Sequence, residues 1–128
     1  MHDNEVLPAA ERAVKCAAFA LDKKALDVKI LEIKGISSIA DYLVLANGRS
    51  DKQVQAIADS VKQGMKPFDR PIDTEGYDEG RWVVVDFGDI IVHVFLEEVR
   101  RTYNLDELWE RARRVEIPEE FLWEPKEG

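Results

Sequence analysis

The sequence predicts a single α/β domain, a mixed β-sheet flanked by α-helices. Three observations carry this reading. Apolar residues recur at helical spacing in two segments, one near the start and one after Ser50. Runs of strand length lie between and after them, one of them continuously apolar, as in a strand covered on both faces. Two further runs are separated only by Gly88-Asp89, which marks a tight hairpin. The 128 residues, 45% of them hydrophobic, leave room for one modest core and no second domain. We read residues 1–128 as one domain with a C-terminal extension from about residue 114.

The elements follow in order. Pro8 suits a helix start, and Ala10, Val14, Ala17, Ala18 and Leu21 then place one apolar stripe on a first helix that Lys23 and Lys24 close. Val28 to Ile33, rich in β-branched residues, reads as a strand that ends before Gly35. Tyr42 to Ala46 is the continuously apolar strand, bounded by Asp41 and Asn47-Gly48, and belongs at the centre of the sheet. Ser50 with Gln53 forms a capping-box pattern for a helix carrying Val54, Ile57, Ala58, Val61 and Met65, ended by Pro67. Ile72 to Glu75 is at best a short edge strand.

Arg81 to Phe87 and Ile90 to Leu96 form the hairpin, and glycine first in a two-residue loop suits a type II′ turn. That turn fixes the register: Asp86 faces Ile91, Val84 faces His93 and Trp82 faces Phe95, all on one side. The other side, with Val83, Val85, Phe87, Ile90, Val92 and Val94, is wholly apolar and belongs to the core. Glu97 to Tyr103 continues as a short helix, and Asn104 with Glu107 repeats the capping pattern before Leu105, Leu108 and Trp109. Beyond Val115 the chain becomes Pro- and Glu-rich, interrupted by Phe121, Leu122 and Trp123, which would dock on the body or a partner or stay partly ordered.

With 26 acidic and 18 basic residues the formal charge is -8, so the surface tends to repel phosphate. Complementary charge favours basic protein partners instead. Cys16 is the only cysteine and there are two histidines, which excludes an internal disulfide and disfavours a zinc site. Met1 to Val6 carries Asp3 and Glu5 and no apolar run, unlike a secretory signal or an Arg-rich transit peptide. A soluble cytoplasmic protein is the expectation.

Several motifs have plain structural readings. Asp86-Phe87-Gly88 spells the metal-binding tripeptide of protein kinases, but the other kinase motifs and about half the required length are missing. Here aspartate ends a strand, phenylalanine enters the core and glycine opens the turn. Asp86 and Asp89 as a magnesium pair yield to the same turn reading. Gly48-Arg49-Ser50, at a strand-to-helix junction, suits capping better than anion binding, since neither a phosphate loop nor a three-glycine fingerprint is present. No metal, cofactor or catalytic residue is expected. The mixed hairpin face is more informative. Trp82, Asp86, His93 and Phe95 set aromatic area beside a carboxylate and an imidazole, the composition of an interface centre, unless a helix covers them.

Three blocks resemble a known family: SSIADYLVLANGRSDKQVQAIAD at Ser37 to Asp59, EG at Glu75 and Gly76, and WVVVDFGDIIVHVFLEEVRRTYNLDELW at Trp82 to Trp109. The chain resembles the ribosomal silencing factors, the Iojap or RsfS family, from its first helix to Trp109. The first few residues and the tail after about Arg113 fall outside the likeness. Two positions depart from the family pattern: Asn47 stands where serine or threonine is more usual, and Asp106 where glutamate is.

The resemblance implies a nucleotidyltransferase-like sheet without its catalytic motif, because Gly48-Arg49-Ser50 is followed by Asp51-Lys52-Gln53 and lacks a second carboxylate. It implies a translational repressor that binds large-subunit ribosomal protein fourteen, blocks joining of the subunits and slows translation when nutrients are scarce. Residual nucleotide binding or nucleotidyltransferase activity using the Gly48 to Ser50 loop is the alternative. The interface residues it implies are Trp82, Asp86, His93 and Phe95 on the hairpin, and Glu98, Arg100 and Tyr103 after it. Trp82 and Phe95 would be apolar anchors, Asp86 and Glu98 would meet basic side chains, and Arg100 and Tyr103 would bond at the rim. Little direct RNA contact is expected, and a homodimer through the hairpin or an edge strand would compete with ribosome binding.

Overall fold

In the computed structural model, which describes residues 7–123, the first apolar stripe forms helix α1, Ala9–Asp22. The opening segment Met1 to Val6 lies outside the described residues. Pro8 caps α1, and its carbonyl accepts from the Arg12 N–H at 3.0 Å. The helix buries Ala13, Cys16, Ala17, Ala20 and Leu21 against the sheet, so the buried face is turned from the expected stripe, of which Ala10, Val14 and Ala18 are only partly buried. Burial pushes the Cys16 thiol up to about 12, so it stays protonated and inert.

Six strands follow: β1 (Leu26–Glu32), β2 (Tyr42–Gly48), β3 (Asp73–Glu75), β4 (Trp82–Asp86), β5 (Ile90–Leu96) and β6 (Arg113–Val115), in the sheet order β3-β4-β5-β2-β1-β6. Only β2 and β5 pair in parallel. The expected mixed sheet is therefore present, with β2 between β5 and β1 and buried at every position. A bulge between Leu26 and Lys29, with Asp27 at φ 51°, starts β1 earlier than its apolar run suggests.

Helix α2, Asp51–Met65, begins as the capping pattern requires: the Ser50 hydroxyl accepts from the Gln53 N–H. The Gln53 amide oxygen reaches one residue further back than expected and accepts from the Arg49 N–H at 2.7 Å. Gly88 has φ +98°, and the register of Trp82 with Phe95, Val84 with His93 and Asp86 with Ile91 is the one the turn dictates. Helix α3, Glu97–Tyr103, leads directly into α4, Leu105–Leu108. Asn104 between them is left-handed at φ 49°, and its side-chain amide donates to the Glu107 carboxylate while its oxygen accepts from no helix backbone N–H, so the second capping box does not form.

The two faces of the sheet are covered differently. Helices α1 and α2 bury the face holding Val28, Ile30, Val44, Val83, Val85 and Val92. On the opposite face, Val99, Leu105, Trp109 and Ala112 pack over Leu31, Ile33, Leu43, Leu45 and Phe95. Toward β4 this second cover thins, and Trp82, Val84, Ile91 and His93 stay only partly buried. The hairpin itself is no sheet edge, since β3 covers β4 and β2 covers β5. The outer strands are three residues each, which limits edge-to-edge pairing.

The tail docks on the body. Strand β6 pairs antiparallel with Ile30 to Glu32, and Val115, Ile117 and Trp123 pack on the core under α1. The Trp123 indole N–H donates to the Ala25 carbonyl at 2.8 Å, with the Lys24 ammonium 5.1 Å from its ring centre. No helix among the described residues is long and apolar enough to cross a membrane.

Candidate partner interface

Alternation along the hairpin delivers Trp82 from β4 and His93 and Phe95 from β5 to the thinly covered face. Phe95 is fully buried and forms the floor. Its ring stacks on His93 with centres 5.7 Å apart, and Trp82 lies 5.2 Å from it. Tyr103, at the end of α3, tops the stack 4.8 Å from Trp82 and is 60% exposed. Such contacts hold aromatic rings in fixed orientations at low entropic cost.

The Trp82 indole N–H donates to Nδ1 of His93 at 3.0 Å. Burial pushes His93 down to about 4, so at neutral pH the ring is uncharged and its proton sits on Nε2. The carboxylate–imidazole pair that the shared face allowed is not formed. Asp86 lies at the turn and accepts from the Gly88 N–H at 2.8 Å. Asp89 meets Arg12, whose guanidinium donates to it at 2.6 and 3.0 Å and to Asp69 at 2.7 Å. This pairing holds the Asp89 carboxyl below its usual range and staples the hairpin turn to α1.

Beside Trp82 and Tyr103 runs a groove of about 450 Å³ lined also by Glu75, Glu79, Arg81 and Val99. Gly76 makes it possible: at φ +80° a Cβ there would lie 2.1 Å from the Trp82 carbonyl oxygen. Its loop therefore lies directly on β4. Hydrogen bonding with the neighbouring Asp73 carboxyl pushes Glu75 up, a sign of crowded negative charge on this rim. Glu98 is exposed in the first turn of α3. The quoted Glu-Gly block was the signal for this groove, but Glu79 and Val99 stand out only once the loop and α3 are in place.

Two implied interface residues do not present surface. Phe95 supports Trp82 from below, and Arg100 is only 4% exposed. Arg100 donates to the Asp27 carbonyl at 2.6 Å, to the Asn47 side chain at 3.0 Å and, through two nitrogens, to the Asp106 carboxylate at 3.0 and 2.9 Å. Those bonds, with help from Lys29, hold the Asp106 carboxyl well below the usual carboxylate range. The anchor role of Phe95 and the rim role of Arg100 thus give way to buried, supporting ones. Asn47 and Asp106, both singled out in the sequence, converge on this one guanidinium.

The Gly48 to Ser50 loop serves packing. A Cβ on Gly48 would lie 2.9 Å from Val54 Cγ2, and the loop's Arg49 N–H and the helix's Gln53 N–H are taken by local side chains. Among the described residues no three His, Cys, Asp or Glu side chains come together as a metal site.

The profile of the family described as "Ribosomal silencing factor during starvation" matches residues 7–127. The chain belongs to this family. A ribosomal silencing factor of Halalkalibacterium halodurans is 44% identical over 118 residues, which cover 91% of this chain and 96% of that one. A crystal structure of a Chromobacterium violaceum protein superposes with a TM-score of 0.80 at 30% identity, covering 88% of this chain and 93% of the other. A mouse protein named mitochondrial assembly of ribosomal large subunit protein 1 is 30% identical over 91 residues, 68% of this chain and 40% of that protein. The family match extends through the docked tail, which the motif blocks alone left outside.

Proposed function

We propose that this protein is a non-enzymatic repressor of translation that acts in the cytoplasm. It binds the large ribosomal subunit through ribosomal protein fourteen and obstructs joining of the small subunit, slowing translation when nutrients are limiting. The observation that carries this reading is the Trp82–Tyr103 pair beside an acid-rimmed groove where the cover on this sheet face thins. Ribosomal proteins are generally basic, and large aromatic side chains at the centre of a charged rim are the usual anchors of protein interfaces. Family membership and the name of the mouse relative support a ribosomal, large-subunit partner. Trp82 and Tyr103 supply the apolar contact, Glu75, Glu79 and Glu98 meet basic side chains, and Phe95, His93 and Arg100 hold these groups in place.

Titration calorimetry with the isolated ribosomal protein tests the assignment. Trp82→Ala should weaken binding about thirtyfold, the effect of losing roughly 2 kcal/mol at a hot spot. Glu79→Lys, at an exposed loop position, should weaken it without touching the fold. Wild-type affinity in both variants would remove this groove from the interface.

A further inference from the structure

A second groove, of about 660 Å³, lies at the end of α2 and is lined by Lys62, Lys66 and Arg70 together with Asp59, Gln63 and Pro71. Lys62 and Lys66 are one helical turn apart, and Arg70 follows one further step along the chain. Among the described residues none of the three forms an ion pair. Asp59, the one carboxylate lining the groove, accepts a hydrogen bond from the Tyr77 hydroxyl at 2.9 Å. Next to the groove, Phe68 holds the Lys15 ammonium 4.6 Å from its ring centre, adding a fourth positive charge to this end of the molecule.

On a chain of net charge -8, three adjacent cations that form no ion pair among the described residues run against the overall balance. Charges are screened beyond about 8 Å at physiological salt, so a phosphate seated in this groove responds to its three cations and the single carboxylate of Asp59, a net positive set, rather than to the acidic residues farther away. The position is also informative. Pro71 and Ile72 lead from Arg70 straight into β3, the outer strand ending at Glu75 on the rim of the Trp82 groove. Five residues of extended chain span at most about 17 Å. The basic and acidic grooves therefore flank the same edge of the sheet, on its opposite faces.

We infer that the Lys62–Lys66–Arg70 groove takes the phosphate backbone of ribosomal RNA beside the protein partner, giving the protein two docking contacts of opposite charge. The inference rests on the large-subunit reading above, and it replaces the expectation of little direct RNA contact with one localised contact.

The test compares wild type with Lys62→Gln/Lys66→Gln/Arg70→Gln, binding either purified large subunits or isolated ribosomal protein fourteen, at several salt concentrations. Three lost phosphate contacts should flatten the slope of log affinity against log salt by about 2, so that wild type loses roughly fifteenfold more affinity for subunits than the variant between 50 and 200 mM salt. Binding to the isolated ribosomal protein should be equal for both. An unchanged slope on subunits, or an equal weakening on the isolated protein, overturns the RNA contact while leaving the large-subunit reading intact. Capture of wild type but not the variant by phosphatidylglycerol vesicles, with subunit binding unaltered, overturns it in favour of a membrane surface. Failure of wild type to bind large subunits at all removes the reading on which it rests.

Discussion

Trp82 keeps its orientation through an uncharged partner. Its indole N–H needs the lone pair on His93 Nδ1, and protonation there would leave two donors facing each other. His93 titrates at about 4 in the folded chain against 6.5 ordinarily, so as pH falls below 6.5 the unfolded chain gains a proton that the folded one refuses. Stability is thus complete above about pH 6.5, declines down to about pH 4, and loses nothing further from this group below that. The loss amounts to about 3 kcal/mol. Urea unfolding at pH 7 and pH 4 should show wild type losing about that much more than His93→Gln, and equal losses would contradict the role of burial. At this scale the hairpin register made Trp82, His93 and Phe95 neighbours directly from sequence, because a two-residue turn leaves no freedom in pairing. Arg100 was illegible: an arginine in the last turn of a short helix reads as solvated, and its partners come from three separate segments.

Among the elements, the long periodic ones were legible, as were the short helix α3 and the edge strand β3, but β6 was not. Helices α1 and α2 and strands β2, β4 and β5 follow from apolar spacing and a turn. Strand β6 is three residues, two of them arginine, and carries no period of its own; it exists because β1 offers an unpaired edge. Its pairing, with Trp123 bonded to Ala25, closes the outer side of β1 on both flanks of the Asp27 bulge. Ending the chain after Ala112 should therefore lower the melting temperature and make the protein self-associate more strongly than the full chain in concentration-dependent light scattering. A truncated chain that stays as stable and as dispersed as the full one would mean the tail guards no edge.

For the whole molecule, the charge of -8 acquires a distribution. Acidic residues rim the aromatic groove on one face, while a small basic groove occupies the opposite face at the same sheet edge. Overall composition hid that division, since a net charge averages over faces. On the proposed reading, repression needs a bound body of sufficient size rather than a reaction, and a domain of this size supplies it. The most direct measurement is therefore subunit joining itself: purified large and small subunits mixed with wild type or Trp82→Ala and separated on a sucrose gradient. Wild type should shift assembled ribosomes into free subunits and co-sediment with the large one, whereas Trp82→Ala at the same concentration should leave most ribosomes assembled. Undiminished joining with wild type bound to the large subunit would contradict the account.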